Sequence, residues 1–366
     1  MKKAIKFIAI AACAASITLL AGCSGCNAAT NYKTTTSPNW QIRGGSADEL
    51  SESSTLMTKR ETATYSVTHN AGANTNYSVE YAEGGTYTTV LYATTYDWNS
   101  QDIPEALRIE NQTDCVYVYE TTLQLEGAYV MDGNRAPFTT AVHTISYFRS
   151  AANNLLPVYS MQDIKTASPS SINPANLDSA YVEMDRVYET YYSRDGGTAI
   201  VHAEARGDDS IDNADVTTGT GSEYSLFDAS SLGIALRSMT QSGTPAFDVF
   251  VPTNGAGARY QAAWGASSAI ARDNESYSSI ISALDSAVDA GYILTGANDE
   301  GVREYAFTPA VVSLVSAMTG PSTTYYYLTV TNTDLNAGRA ALARVEEQLP
   351  FSLGTLVYNL TSLSLN

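Results

Sequence analysis

The sequence predicts an α+β fold: a curved antiparallel β-sheet or half-barrel with a few covering helices. Three observations predict it. Tyrosine is abundant, at 25 of 366 residues, among many Ser and Thr, and aromatic and β-branched side chains suit a pleated, half-wet surface. Long alternations of apolar and polar residues are separated by short turns rich in Gly and Asp. Beyond about residue 228 the apolar spacing changes, in two or three stretches, to the three-and-four spacing of a helix. At 44% apolar and 16% charged residues, this is a folding sequence and not a disordered one.

In chain order, residues 23–60 are rich in Ser, Thr, Asn and Gly, with few apolar side chains beyond Trp40, Ile42, Leu50, Leu56 and Met57. That composition predicts a flexible tether. The body, 61–366, opens with a hairpin signal: Tyr77, Val79 and Tyr81 alternate, Glu83-Gly84-Gly85 turns, and Thr86 to Tyr96 returns. A longer alternation sends Cys115, Tyr117, Tyr119, Leu123, Leu125 and Tyr129 one way and Glu120, Thr122, Gln124 and Glu126 the other. Asp132-Gly133 makes the next turn, and Phe138 to Phe148 forms the partner. A continuous strand from Cys115 to Val130 spans ~53 Å at ~3.3 Å per residue, so it must coil or bulge, which favours strong curvature. Tyr181 to Ser193 and Thr198 to Ala205 form another pair around Arg194-Asp195-Gly196-Gly197, with Ala199, Val201, Ala203 and Ala205 as the inward row.

The acidic, Gly/Thr-rich stretch 207–222 is the expected boundary between two halves. Asp228 then caps a helix carrying Leu232, Ala235, Leu236 and Met239. A hairpin follows, Phe247 to Val251 and Tyr260 to Trp264 around 252–258. A second helix covers Tyr277 to Val288, with Gly291 just past its end. Val311 to Met318 fits strand or helix. Tyr325 to Val330 reads as a strand, Asn336 to Leu349 as a helix with Leu342, Val345 and Leu349 inward, and Leu353 to Leu363 as a last strand.

The N-terminus carries the address. Lys2, Lys3 and Lys6 precede an apolar run of 14 residues, Phe7 to Leu20, shorter than the ~20 a spanning helix needs. Small residues then lead to Cys23, the layout of a cleaved export segment over 1–22. Leu20-Ala21-Gly22-Cys23 resembles the lipobox of bacterial lipoproteins. The resemblance implies that Cys23 is the lipidation site and first mature residue, held to the membrane by acyl chains, and Ser24 implies the outer membrane where the source has two. Each buried methylene contributes ~0.8 kcal/mol, so stable anchoring takes at least two chains.

Removal of 1–22 takes away three lysines and no acid, leaving 17 basic against 38 acidic side chains and a formal net charge of −21. Such a body is a poor partner for nucleic acid. Cys26 and Cys115 remain, and an exported context permits a bridge between them. Cys23-Ser24-Gly25-Cys26 matches C-x-x-C without the folded context that redox or zinc work needs. His69, His143 and His202 share no metal-ligand spacing and read as structural. Gly265-Ala266-Ser267-Ser268-Ala269 fails as a nucleophile elbow. Asp208, Asp209, Asp212, Asp215 and Glu223 offer hard oxygens for calcium but lack EF-hand spacing. The sequence therefore assigns no catalytic residue, metal ligand or cofactor. Tyr191-Tyr192, Tyr325-Tyr326-Tyr327, Trp98 and Trp264 could stack on sugar rings or pack as cross-strand pairs.

The outline of curved hairpins closed by later helices resembles the LolA/LppX group of lipoprotein carriers and lipid-binding lipoproteins. Phe227-Asp228 leading through Leu236-Arg237 to a Phe247–Val251 strand is similar to bacterial domains of the same open-barrel kind. The resemblance implies an apolar concavity for acyl chains, hence a non-catalytic binder of a lipid or other hydrophobic molecule. A second reading is a surface adhesin or glycan-binding lipoprotein, which predicts an aromatic row on the outside. A third is an envelope hydrolase with a convergent cleft.

Overall fold

The computed structural model describes residues 60–151, 154–206, 214–219, 226–237, 239, 241–251, 256–292, 302–315, 322–329 and 340–366. The expected signal, Cys23 and the expected tether up to residue 59 lie outside them. Among the described residues the body forms one curved sheet of 17 strands, antiparallel apart from one short parallel pair, with two α-helices packed against it.

The sheet builds outward from β1 (Glu61–Ala71). On one side β1 pairs with β3 (Gly85–Asp97), which pairs with β4 (Thr113–Met131). From β4 the meander runs through β5 (Asn134–Ala151), β6 (Asn154–Pro169), β7 (Tyr181–Tyr192), β8 (Thr198–Ala205) and β9 (Ala214–Gly219). On its other side β1 pairs with β17 (Gly354–Leu365), and the sheet continues through β16 (Leu342–Leu349), β15 (Thr323–Leu328), β14 (Tyr305–Leu314), β12 (Ala256–Trp264) and β11 (Ala246–Val251) to β10 (Leu226–Asp228). A short β13 (Ser268–Ile270) continues the line of β12 along β14. First and last strands thus lie side by side, and the sheet coils until β10 packs against β6.

The strongest sequence signals form as expected. β4 is 19 residues long, with Tyr117, Tyr119, Leu123, Leu125 and Tyr129 buried on the concave face. Asp132 and Gly133, at φ 52° and 80°, close a two-residue turn onto β5, the primed geometry whose twist matches the flanking strands. α2 (Ser278–Asp289) lies along β17 and buries Ile280, Ile281, Leu284 and Ala287. The run at Val311 resolves as strand β14.

Three expectations are corrected. The hairpin around Glu83-Gly84-Gly85 does not form. β2 (Ser78–Tyr81) and β3 instead line up end to end along β4, opposite Gly127–Val130 and Thr113–Gln124. Gly84, at φ 88°, serves a bulge and not a reversal, because β4 is long enough to hold both segments. Within the stretch read as a loop, β9 pairs with β8; the rest of 207–222 outside β9 lies outside the described residues. The helix over Asn336 to Leu349 is corrected to strand β16 from Leu342 onward. Ala343, Val345, Glu347 and Leu349 are buried there, a period of two. Pairing on both sides, to β15 and β17, outweighs the helix preference of its Ala, Arg, Glu and Gln residues.

The concave face is closed by helix, as expected, but from within. After β10, a 3-10 turn (Ala229–Ser231) leads into α1 (Leu232–Arg237), and every residue from Phe227 to Arg237 is buried. The gap beside it, lined by Phe148, Leu155, Phe227 and Ile234, has no room for a water molecule. Polar clasps hold both ends. The Asp228 carboxylate accepts from the Ser230 backbone N–H at 2.8 Å and from the hydroxyls of Ser160 on β6 (2.7 Å), Tyr192 on β7 and Ser230. Burial, then the Asp228 charge, holds the Tyr192 phenol well above its ordinary range, so it stays a donor. At the other end Arg237 pairs with Glu61 on β1, which also accepts from the Tyr292 hydroxyl. Burial opposes the Arg237 charge, but Glu61 and then Tyr292 outweigh it and raise its pKa. Midway, the Tyr327 hydroxyl donates to the Gly233 carbonyl at 2.6 Å.

Candidate functional site: an aromatic row on the outer face

Strand alternation sends every second side chain of β3 to β8 outward. Register then brings six of these side chains into one line. Tyr92 faces Val118, Val118 faces Tyr147, Tyr147 faces Tyr159, Tyr159 faces Tyr191, and Tyr191 faces Ile200. Five inter-strand steps of ~4.8 Å make this row ~24 Å long. Val118 and Ile200 are buried within it, and its four tyrosines are half-buried and form its accessible part. Neighbouring rings pack on one another: Tyr147 and Tyr159 meet edge to face, centroids 5.6 Å apart at 78°, and Tyr159 and Tyr191 are tilted, 5.0 Å apart at 53°. Such pairs add ~0.5–1.5 kcal/mol beyond area burial, so the row is stiff before any ligand arrives. Arg60 lies over the Tyr92 ring at 4.4 Å.

One flank of the row is built by the connection between β3 and β4. Trp98 is fully buried against Val116 and Val158, with Tyr96 and Tyr147 packed on them. Ile103 and Leu107 cover Ile200 beside Tyr191. The other flank is acidic. Glu189 accepts from the Tyr159 hydroxyl at 2.9 Å, and Glu120 lies 2.9 Å from His143 Nε2. Burial, then Tyr92 and Glu120, raises the Tyr147 phenol; burial, then Glu189 and Asp102, pushes Tyr191 up to about 12. Tyr147, Tyr159 and Tyr191, all raised, therefore keep their protons at physiological pH. The row offers apolar ring edges and faces, phenolic O–H groups, and two carboxylates that accept hydrogen bonds from hydroxyls.

The sequence-predicted aromatics divide between the two faces. Tyr191 joins the row, whereas Tyr192 turns inward to Asp228. Tyr325 and Tyr327 are buried and stacked at 17°, while Tyr326 turns outward to Glu346. Trp98 is core, and Trp264 packs on Tyr327. Tyr92, Tyr147 and Tyr159 were not singled out as site residues by sequence. Their spacing within each strand is ordinary, and only the register between strands aligns them.

The histidines do not converge. His69 Nε2 bonds the Leu353 carbonyl at 3.1 Å, and burial lowers its pKa. His143 pairs with Glu120, and His202 stands exposed on β8. The side chains of Asp208, Asp209, Asp212, Asp215 and Glu223 lie outside the described residues, as does Cys26. A pocket of about 920 Å³ crosses β4 to β7 near Arg206, and its wall mixes Phe138 and Met184 with Glu126, Lys165, Asp185 and Arg206. That wall mixes apolar and charged side chains, and the gap between α1 and Phe148, Leu155 and Pro157 has no room for a water molecule.

No protein-family model matches the chain. No curated protein matches it either. Among solved structures, it is similar to the crystal structure of a beta-barrel-like protein of domain of unknown function DUF1849 from Brucella abortus, with a TM-score of 0.41 and 8% identity over 84% of this chain and 98% of that one.

Proposed function

We propose that the protein is a lipid-anchored lipoprotein of the bacterial cell envelope that binds glycans, without catalysis, on the outer face of its half-barrel. The observation that carries the reading is the in-register alignment of Tyr92, Tyr147, Tyr159 and Tyr191, flanked by Glu120 and Glu189. Sugar rings present apolar C–H faces and a fringe of hydroxyls, and this surface matches both. α1 is buried against the concave face, with no room for a water molecule in the gap beside Phe148 and Leu155. That arrangement favours the glycan reading over a carrier of acyl chains, which needs the concavity empty.

A glycan array probed with the protein lacking residues 1–22 tests the reading. Binding is expected, and Tyr159→Ala is expected to weaken it at least tenfold, the effect of removing a central aromatic anchor. An array with no signal above background removes the proposal.

The anchor rests on Lys2, Lys3, Lys6, the apolar run and Leu20 to Cys23. Among the described residues no helix is long and apolar enough to cross a membrane. Cys23→Ser is expected to move the protein from the membrane to the soluble fraction and to leave residues 1–22 uncleaved. A variant that fractionates and is processed like the wild type refutes the lipid anchor.

A further inference from the structure

The aromatic row does not end in neutral surface. Arg149 follows Tyr147 by two residues on the same outward face of β5, and with Arg108 and Arg194 it lines a pocket of about 380 Å³. Leu107 and Ile109 form the apolar shoulder of that pocket, and Leu107 packs beside Tyr191. The pocket and the row are therefore continuous.

The charge pattern there runs against the rest of the molecule. In a chain with 38 acids and 20 bases, a basic side chain finds a carboxylate easily. Eight arginines of the described residues do so, among them Arg135, Arg259 and Arg344. Arg108 and Arg149 form no such ion pair among the described residues, nor does Arg60, which lies over the Tyr92 ring; Arg108 and Arg149 share this pocket. Arg108 spends its donors on the backbone carbonyls of Ile103 and Gln101, at 2.7 and 2.8 Å. Arg149 gives one Nη2 proton to the Arg194 carbonyl at 2.5 Å, and its Nε has no partner among the described residues. Arg194 is already engaged, forked onto Asp114 at 2.7 and 2.9 Å, with Trp98 Nε1 on the same carboxylate. Asp195, the acid that lines the pocket, is tied into its own turn by Ser193 and the Gly197 N–H. Burial, then the adjacent Arg194 charge, lowers the Arg149 pKa against the pull of Asp114 and Asp195. A bound anion relieves that repulsion.

We infer that the glycan is acidic: the tyrosine row takes its sugar rings, and the Arg149 guanidinium, backed by Arg108 and Arg194, takes a sugar carboxylate of the uronic or sialic type. The inference rests on the glycan reading above and adds the charge of the ligand to it. A guanidinium with free donors is suited to a planar carboxylate, which it meets with parallel N–H···O bonds.

The test is an array carrying neutral, uronic-acid and sialic-acid oligosaccharides, probed at low salt with wild type, Arg149→Gln and Tyr159→Ala. Acidic glycans are expected to dominate the wild-type signal. Arg149→Gln is expected to cut their binding at least tenfold and leave neutral glycans unchanged, whereas Tyr159→Ala cuts both. If Arg149→Gln shifts the melting temperature, Arg149→Lys, which keeps the charge and loses the fork, is expected to weaken acidic binding severalfold at unchanged stability. Equal binding of neutral and acidic glycans, or acidic binding indifferent to Arg149, overturns this inference and leaves the glycan reading standing. Absence of all glycan binding overturns both.

Discussion

Arg237→Met is expected to destabilise the protein by about 3–5 kcal/mol, read as a fall in melting temperature on the order of 10 °C. Its guanidinium and the Glu61 carboxylate are 5% and 8% exposed, deep enough that neither charge is solvated once its partner is gone. The methionine fills much of the arginine's volume, so the loss reports an orphaned Glu61 and not a cavity. A second variant separates these causes. Glu61→Met with Arg237→Met removes both charges, and replacing a buried pair by apolar residues is often neutral or stabilising. The double variant is expected to regain most of the loss, short of the bond that Tyr292 makes to Glu61. If the single variant melts within a degree or so of wild type, the clasp does not hold α1 in the barrel.

The clasp also shows where sequence reading stops. Glu61 and Tyr292 lie 231 residues apart, and nothing local in either stretch announces the other. What is legible is what local chemistry decides. The alternation over Cys115 to Val130, the Asp132-Gly133 turn and the cap at Asp228 each draw on a few consecutive residues, and each forms. β6 was not singled out because its inward row is polar: Ser160, Gln162, Thr166 and Ser168 are buried beside Ile164. Some of those groups find polar partners, Thr166 with Thr140 on the neighbouring β5 at 2.9 Å and Ser160 with Asp228 at 2.7 Å, so an apolar-polar count misses the strand. β16 fails for the converse reason. Leu342, Val345 and Leu349 fit a helix face, while the residue that betrays the strand, Glu347, is buried on a hydrogen bond from Tyr358. The candidate site follows the same logic. Each tyrosine of the row is plain in sequence as a strand residue, but the row exists only in the register of six strands. A bulge at Val158 on β6, opposite the step from Tyr147 to Phe148 on β5, is part of what sets it.

Asp228→Ala is expected to cost about 3–5 kcal/mol, and the reasoning differs from that for Arg237. Asp228 is fully buried with no ion pair among the described residues; hydroxyls and a backbone amide satisfy it. Loss of an N-cap alone costs ~1 kcal/mol. The remainder comes from Ser160 and Tyr192, whose buried hydroxyls lose their acceptor, at ~1–3 kcal/mol each where no substitute is found. Asp228→Asn supplies the contrast. It keeps the shape and the cap, but one of its two ends turns from acceptor to donor, so its loss is expected to fall between wild type and alanine. Chemical denaturation of the three proteins gives the order directly, with unchanged m-values as the sign that the denatured state is not the cause. Were the asparagine variant as unstable as the alanine one, hydrogen bonds to the carboxylate would not be what seats α1. Were both as stable as wild type, the helix that fills the concavity would be packed by apolar contact alone, and the barrel could open for a ligand at little cost. The expected order instead makes α1 and its hydroxyl-satisfied carboxylate a fixed part of the fold.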